Sequence, residues 1–362
     1  MASDCIIVGG GTVGMLTARE LRGQGAQVVV IDQVGAGRES SWAGGGILSP
    51  LHPWRYDDAV TVLARWGQAQ YPSIAANVAD ATGVDPQWTR SGMLVLSPPD
   101  DAAASAWARR WDYAMERLEH DRLGAVQPGL GPVAESGLWL PELAQIRTPR
   151  LARALKLSLV RSGVEVREYT EVVGIQTEGD RVTGVRTARG TEPAGQVVVA
   201  AGAWSGKLLA NLGVDIGIAP VRGQIVLFHA RPGLLDRIIL HGERYLIPRR
   251  DGRVLVGSTL EHVGFDKTLT EAARTELRTA AVELLPALAR FPVETQWAGL
   301  RPGKPDGIPY VAEYPRVRNL YVNTGHYRNG VVLAPASARL LTDLMLGLEP
   351  SFDPVPYRLP AG

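Results

Sequence analysis

The chain has 362 residues, more than one ordinary hydrophobic core fills, which predicts two domains. Hydrophobic content of 45% and charged content of 21% belong to a soluble globular protein, and a net charge of +1 gives no electrostatic case for nucleic acid or an anionic membrane. A single cysteine, Cys5, excludes an intrachain disulfide and an all-cysteine metal site, so no metal is expected; no apolar run reaches the roughly 20 residues of a membrane span, and no basic leader precedes an apolar core, so the expected location is cytoplasmic.

The N-terminus reads "DCIIVGGGTVGMLTARELRGQGAQVVVIDQ". Cys5 to Val8 is an apolar run suited to a buried parallel strand. Gly9, Gly11 and Gly14 follow as G-x-G-x-x-G, Thr12 to Leu21 has helical patterning, and a second strand from Gln27 to Ile31 ends at Asp32. Strand, glycine turn, helix, strand and acid together form the dinucleotide-binding context, whereas a glycine-rich turn of another doubly wound fold needs only part of it. Backbone N–H groups at the start of that helix would approach a pyrophosphate, and Asp32 would accept from a ribose.

An NAD domain usually continues after the acid into another crossover helix. Here "VGAGRESSWAGGGILSP" intervenes. Ser40 and Ser41 are good helix N-caps and could add donors along a longer cofactor. Gly44, Gly45 and Gly46 would let backbone lie flat against a tricyclic ring with no Cβ in the way. The alternative is a flexible loop tip, against which stand the flanking Trp42, Ile47, Leu48 and Trp54.

Further on, the spacing predicts a helix from about Ala102 to Leu118, in a second domain inserted into the first. "EVREYTEVVGIQTEGDRVTGVRTARG" predicts a meander turning at Glu178-Gly179-Asp180. Gln196 to Ala201 is another buried strand, with Gly202 at the turn after it and Ser205 as a candidate cap. "QWAGLRPGKPDGIPYV" places Arg301 next to a tryptophan-bearing strand, where it is either a structural ion-pair partner or a ligand-facing cation. The C-terminal third predicts a strand Leu320 to Val322, a loop through His326, Tyr327, Arg328 and Asn329, and a helix from Gly330 into Leu346. The positive end of that helix, at Gly330, Val331 and Val332, would stabilise charge on a flavin's pyrimidine edge.

With these motifs in order, and with "RYLIPRRDGRVLVGSTLEH", "WAGLRPGKPDGIPY" and "GHYRNGVVLAPAS", the chain resembles the D-amino-acid oxidase-like FAD enzymes, and within them the branch that oxidises glycine for thiamin thiazole synthesis. The resemblance covers essentially the whole length. It implies an α/β (α+β) fold in which a Rossmann-like FAD-binding domain (residues 1–85, 146–218 and 303–362) carries an inserted antiparallel-sheet substrate-binding domain (86–145 and 219–302). It implies non-covalent FAD, a small amino-acid substrate, dioxygen as acceptor, and a homo-oligomer, often a tetramer. By position, Thr12 and Val13 would face the pyrophosphate, Asp32 and Gln33 the adenosine ribose, Ser40 the phosphates, Gly44 to Gly46 the flavin and Val172 the adenine. The segment His326 to Val332 would wrap the flavin. Arg301, Tyr245 and Arg328 would hold the substrate carboxylate, and Leu260 would form a wall of the pocket.

These assignments imply that the flavin takes a hydride from the amine, with no side-chain base needed when the amine arrives neutral. Glycine, sarcosine, other N-substituted glycines and D-amino acids all suit such a pocket. A dehydrogenase using a carrier other than dioxygen, and a non-catalytic FAD-binding scaffold, are the rival readings.

Overall fold

The computed structural model of the chain describes residues 3–213 and 215–360, apart from the side chain of residue 211. The outermost residues of the expected segments 1–85 and 303–362, and residue 214 within 146–218, lie outside the described residues.

The first unit forms as expected. Strand β1 (Ser3–Val8), helix α1 (Thr12–Gly23) and strand β2 (Val28–Ile31) make a βαβ turn, with β1 and β2 parallel from Cys5↔Val28 to Val8↔Ile31. One turn of helix, α2 (Ser40–Ala43), precedes the triple glycine, and the long α3 (Asp58–Thr82) follows, its first turn capped by Asp57 accepting from the Ala59 N–H at 2.8 Å.

The chain then leaves for a second sheet through β3 (Met93–Leu96), α4 (Asp101–Trp111), β4 (Glu116–Glu119), α5 (His120–Val126) and β5 (Ser136–Leu140). The expected helix from Ala102 to Leu118 is therefore too long. It stops at Trp111, where Asp112 turns left-handed (φ 55°, ψ 50°), and the next residues pair with β5 so that Leu118 is buried. Cross-strand pairing overrides the helical propensity of this segment.

Helix α6 (Thr148–Arg161) and strand β6 (Glu165–Arg167) return to the first sheet, followed by the meander β7 (Val172–Glu178), β8 (Arg181–Thr187) and β9 (Gly190–Val199), which turns at Gly179. After the short α7 (Ser205–Leu209) come β10 (Ala219–Phe228), β11 (Ile238–His241), β12 (Arg244–Pro248), β13 (Val254–Gly257), α8 (Glu271–Leu284) and β14 (Val293–Gly303) in the second sheet. Strands β15 (Tyr310–Glu313) and β16 (Leu320–Thr324) and helix α9 (Gly330–Leu346) close the first.

The first sheet runs β15-β16-β9-β1-β2-β6, with β7 and β8 added through β9. Helices α1, α3, α6 and α9 cover one face, and the meander with α7 covers the other. The second sheet runs β14-β10-β13-β12-β11-β3-β5-β4 and is antiparallel except where β3, arriving from the earlier excursion, pairs parallel with β11. The mixed α/β architecture is the expected one.

Ser205 does not cap a helix. Its hydroxyl donates to Thr324 Oγ1 at 3.0 Å, tying α7 to β16.

Candidate functional site: a long cavity and a small chamber

A cavity of about 570 Å³ opens beyond the carboxyl ends of β1, β2 and β9, within the range of cofactor-sized pockets. Its walls include Gly9, Gly11, Val13, Asp32, Gln33, Ser40, Ser41, Gly44, Val172 and Gly202, and also Arg301, His326, Tyr327, Arg328, Gly330 and Val331. Residues from both ends of the sequence are thus brought to one space. Thr12, Gly14 and Val332 are not on the walls of either this cavity or the smaller chamber described below.

The glycine turn is shaped by protein contacts. Gly9 has φ +110°, and a Cβ on it would fall well within 3.0 Å of the Ala200 carbonyl; one on Gly14 would strike the Gly9 carbonyl. Gly11 is the α1 N-cap but has no side chain, so Ser41 Oγ accepts from the Thr12 N–H at 2.8 Å. The serine expected to cap its own helix caps one that begins 29 residues earlier. Asp32 accepts from Gly10 N–H at 2.7 Å and Val34 N–H at 2.9 Å; burial raises its pKa against those two bonds. Its carboxylate holds the turn as well as facing the cavity.

The start of α9 is braced rather than frayed. Pro335 lacks the N–H that Val331 O would accept, and the Tyr71 hydroxyl donates to that oxygen at 2.6 Å instead. The first turn of a 17-residue helix therefore presents unpaired backbone N–H groups at a rigid cavity wall. His326 Nε2 lies 3.0 Å from Ser337 Oγ, and burial lowers its pKa to about 3, so it is neutral at ordinary pH. Asn323 Oδ1 and Asn329 Nδ2 are buried without a protein partner, and each lines one of the two spaces. Donor-rich backbone, an acid and unpartnered amides fit a large polar and aromatic group such as FAD.

The chamber, of about 90 Å³, shares Ser40, Gly44, Arg301, Arg328 and Val331 with the cavity and adds Ile47, Leu51, Ile225, Tyr245 and Ser258. It is smaller than the roughly 150 Å³ that accommodates benzene. Leu260, expected as a wall, is 45% exposed and faces neither space.

Sheet register builds this chamber. Tyr245 pairs with Gly257, Gly257 with Ile225, Gly223 with Gly299, and Val221 with Arg301, so these positions share one face of the sheet. A Cβ on Gly223 would occupy the space of the Arg301 guanidinium, and one on Gly257 that of the Tyr245 hydroxyl. The bare positions let an arginine and a tyrosine lie across the strands. Nothing local in "VRGQIV" or "VLVGST" marks those glycines; only the pairing does.

Arg301 donates to Ser258 Oγ at 2.8 Å and to the carbonyls of Thr259 and Arg222 at 3.3 Å. Among the described residues no carboxylate lies within 4.0 Å of it, and burial pulls its pKa below the usual arginine value. The ion-pair alternative for Arg301 is thereby excluded. Arg328 differs, because its Nη1 donates to Glu243.

Two positions of the triple glycine, Gly45 and Gly46, line the smaller chamber, and protein contacts by themselves already require them bare. Gly46 has φ +78° and would collide with the Ile146 carbonyl, while a Cβ on Gly45 would meet Ile247 at 2.7 Å and Tyr245 at 3.3 Å. Only Gly44 faces the long cavity, with a Cβ that would meet nothing nearer than Ser40 O at 3.3 Å. Sequence reasoning also missed Arg249, which is buried, donates to Gly45 O at 2.7 Å and Gln145 Oε1 at 2.8 Å, and has its pKa lowered to about 10 by burial.

A mixed sheet with parallel central strands, a glycine turn and a polar cavity, together with a second sheet that carries an arginine-lined chamber, is the layout of a flavoprotein oxidoreductase. A family model described as FAD dependent oxidoreductase matches residues 4–344, and the chain belongs to that family. It is 48% identical to a glycine oxidase of Pseudomonas aeruginosa, covering 100% of both chains. It is 33% identical to the bifunctional protein ThiO/ThiG of Trichormus variabilis, with 98% of this chain matched to 54% of that protein. The crystal structure of glycine oxidase from Geobacillus kaustophilus superposes with a TM-score of 0.95 at 28% identity, covering 100% of this chain and 99% of the other.

Proposed function

We propose that this protein oxidises glycine, and amines close to it in size such as sarcosine and D-alanine, to the 2-oxo acid and the freed amine (ammonia from glycine and D-alanine, methylamine from sarcosine), with dioxygen reduced to hydrogen peroxide. The observation that carries the reading is Arg301, a half-buried cation with no carboxylate within 4.0 Å among the described residues, on the wall of a chamber with room for only a few heavy atoms. A planar guanidinium binds a carboxylate through two parallel N–H donors, and burial strengthens the pair.

In this reading Arg301 aims the substrate by its carboxylate, Tyr245 and Arg328 flank it, and Ile47, Leu51 and Ile225 exclude water from the far side. Among the described residues, the titratable groups on the chamber wall are Tyr245, Arg301 and Arg328, and no carboxylate or imidazole stands there to take the amine proton. The amine therefore arrives neutral. FAD would be held by the Gly9–Gly14 turn, Asp32, Gln33, Ser40, Gly44, Val172 and the first turn of α9, and supplies a two-electron acceptor. The imine product would hydrolyse in water to glyoxylate and ammonia when glycine is the substrate. The thiamin thiazole role and the homotetramer that the family resemblance implies, the cytoplasmic location expected from the sequence, and the division into segments 1–85, 146–218 and 303–362 against 86–145 and 219–302, belong to the same proposal.

Anaerobic mixing with glycine should bleach the bound flavin, and aerobic mixing should release peroxide, with sarcosine and D-alanine also active and bulky D-amino acids poor. A yellow protein bleached by none of these amines would overturn the substrate reading. Colourless protein that does not take up FAD would overturn the cofactor assignment as well.

A further inference from the structure

The two arginines of the chamber are balanced differently, and the difference lies in a residue outside its wall. Glu243 sits on the turn between β11 and β12, two positions before Tyr245, and accepts from Arg328 Nη1. The Arg328 side chain is 14% exposed and that of Glu243 is 53% exposed, so the carboxylate covers the arginine from the solvent side. Burial pulls the Arg328 pKa down, and Glu243 more than restores it. Burial likewise pushes Glu243 up, and Arg328 holds it below the usual carboxylate range, so both are charged. The turn is fixed from behind by His52, whose Nε2 lies 3.0 Å from the Gly242 carbonyl. Arg55, another cation whose field reaches Glu243, is already bonded to Asp100 at 2.6 Å.

We infer that Glu243 sets the substrate class by charge count: it neutralises Arg328, leaving Arg301 as the one cation of the chamber wall with no carboxylate bonded to it among the described residues, so that an amine with one carboxylate is accepted and one with two is rejected. Glu261, whose field reaches Arg301, is bonded to Arg222. This rests on the proposed pairing of Arg301 with the substrate carboxylate. Bound to Arg301, the first carboxylate completes the balance. A second would lie near Arg328, whose charge Glu243 already meets, with no free cation left for it and the Glu243 carboxylate repelling it. Glu243 acts through Arg328 and is a positioning residue, not a catalytic one.

The test titrates FAD-loaded wild type, Glu243→Gln and Glu243→Asp with acetate and with malonate, which cannot be oxidised as amines, by calorimetry and by the shift of the flavin absorbance. In Glu243→Gln the malonate-to-acetate affinity ratio should rise about tenfold or more, because one repulsion is removed and one cation is freed. Glu243→Asp should keep the wild-type ratio. The kcat/KM for iminodiacetate relative to glycine should move with the affinity ratio. A ratio unmoved in Glu243→Gln, or raised equally by Glu243→Asp, overturns the inference. Arg301→Ala separates the two levels: acetate binding that survives it removes the reading of the chamber and this inference together. Acetate binding that depends on Arg301, with the ratio unmoved by Glu243→Gln, removes this inference alone.

Discussion

Glycines do the same physical work in the two sheets but are written into the sequence differently. In the first, mixed sheet, Gly9, Gly11 and Gly14 stand within one turn, and the neighbours they accommodate are mostly backbone: the Ala200 and Gly9 carbonyls. In the antiparallel sheet, Gly223, Gly257 and Gly299 lie on three strands, and all three make room for side chains: Arg301, Tyr245 and the Ala43 methyl. A backbone neighbour cannot move aside, whereas the far end of an arginine can. The first set therefore guards the fold, and the second guards the shape of the chamber.

The largest expected effect tests that division at its rigid end. Gly14→Ala drives a methyl into the Gly9 carbonyl and should cost about 3 kcal/mol of stability together with the bound FAD, read by thermal unfolding and flavin content. Full flavin occupancy at an unchanged melting temperature would erase the contrast. Arg301→Ala should spare fold and flavin while weakening substrate binding by about 2 kcal/mol or more. Loss of FAD with amine affinity unchanged would show that this arginine serves the cofactor instead.

The two regions also bury ionisable groups in opposite states, His326 neutral and Arg301 charged. The folded pKa of His326, about 3, lies below its ordinary 6.5. The unfolded chain takes up that proton first, so this contribution to stability is complete above pH 6.5 and is lost as the pH falls toward 3. Glutamine at 326 should flatten the fall in stability between pH 6 and 4 by up to about 1.4 kcal/mol per pH unit, measured by denaturant unfolding. Identical slopes in the two proteins would mean that the imidazole is already exposed. Smallest is Gly223→Ala, whose methyl displaces only a guanidinium. It should leave the melting temperature nearly unchanged and raise KM for glycine by about 1 kcal/mol, and a collapse of stability instead would place Gly223 with the rigid set.

How much was legible follows the range of the interactions. The βαβ unit, the meander turning at Gly179 and the strand–loop–helix ending in α9 depend on neighbours close in sequence, and their residues declare them. The helix beyond Trp111 was misread because Leu118 answers to β5, not to its own turn. Ser41 and Ser205 have the chemistry of caps, but their partners, Thr12 and Thr324, come from distant elements. Gly45 and Gly46 line the chamber, but that Ile247, Tyr245 and the Ile146 carbonyl also require them bare is legible only in the fold.

By itself the sequence determined the cofactor class and the order of the elements, because a phosphate-binding turn and amphipathic periods are encoded within a few residues of one another. Tertiary structure alone decided that, among the described residues, Arg301 lacks a bonded carboxylate while Arg328 has Glu243, and that two glycines far apart in sequence, Gly223 and Gly257, clear one face for an arginine and a tyrosine. Charge balance and steric room are properties of groups that meet in space, and strand register, set by a whole sheet packing at once, chooses which groups meet.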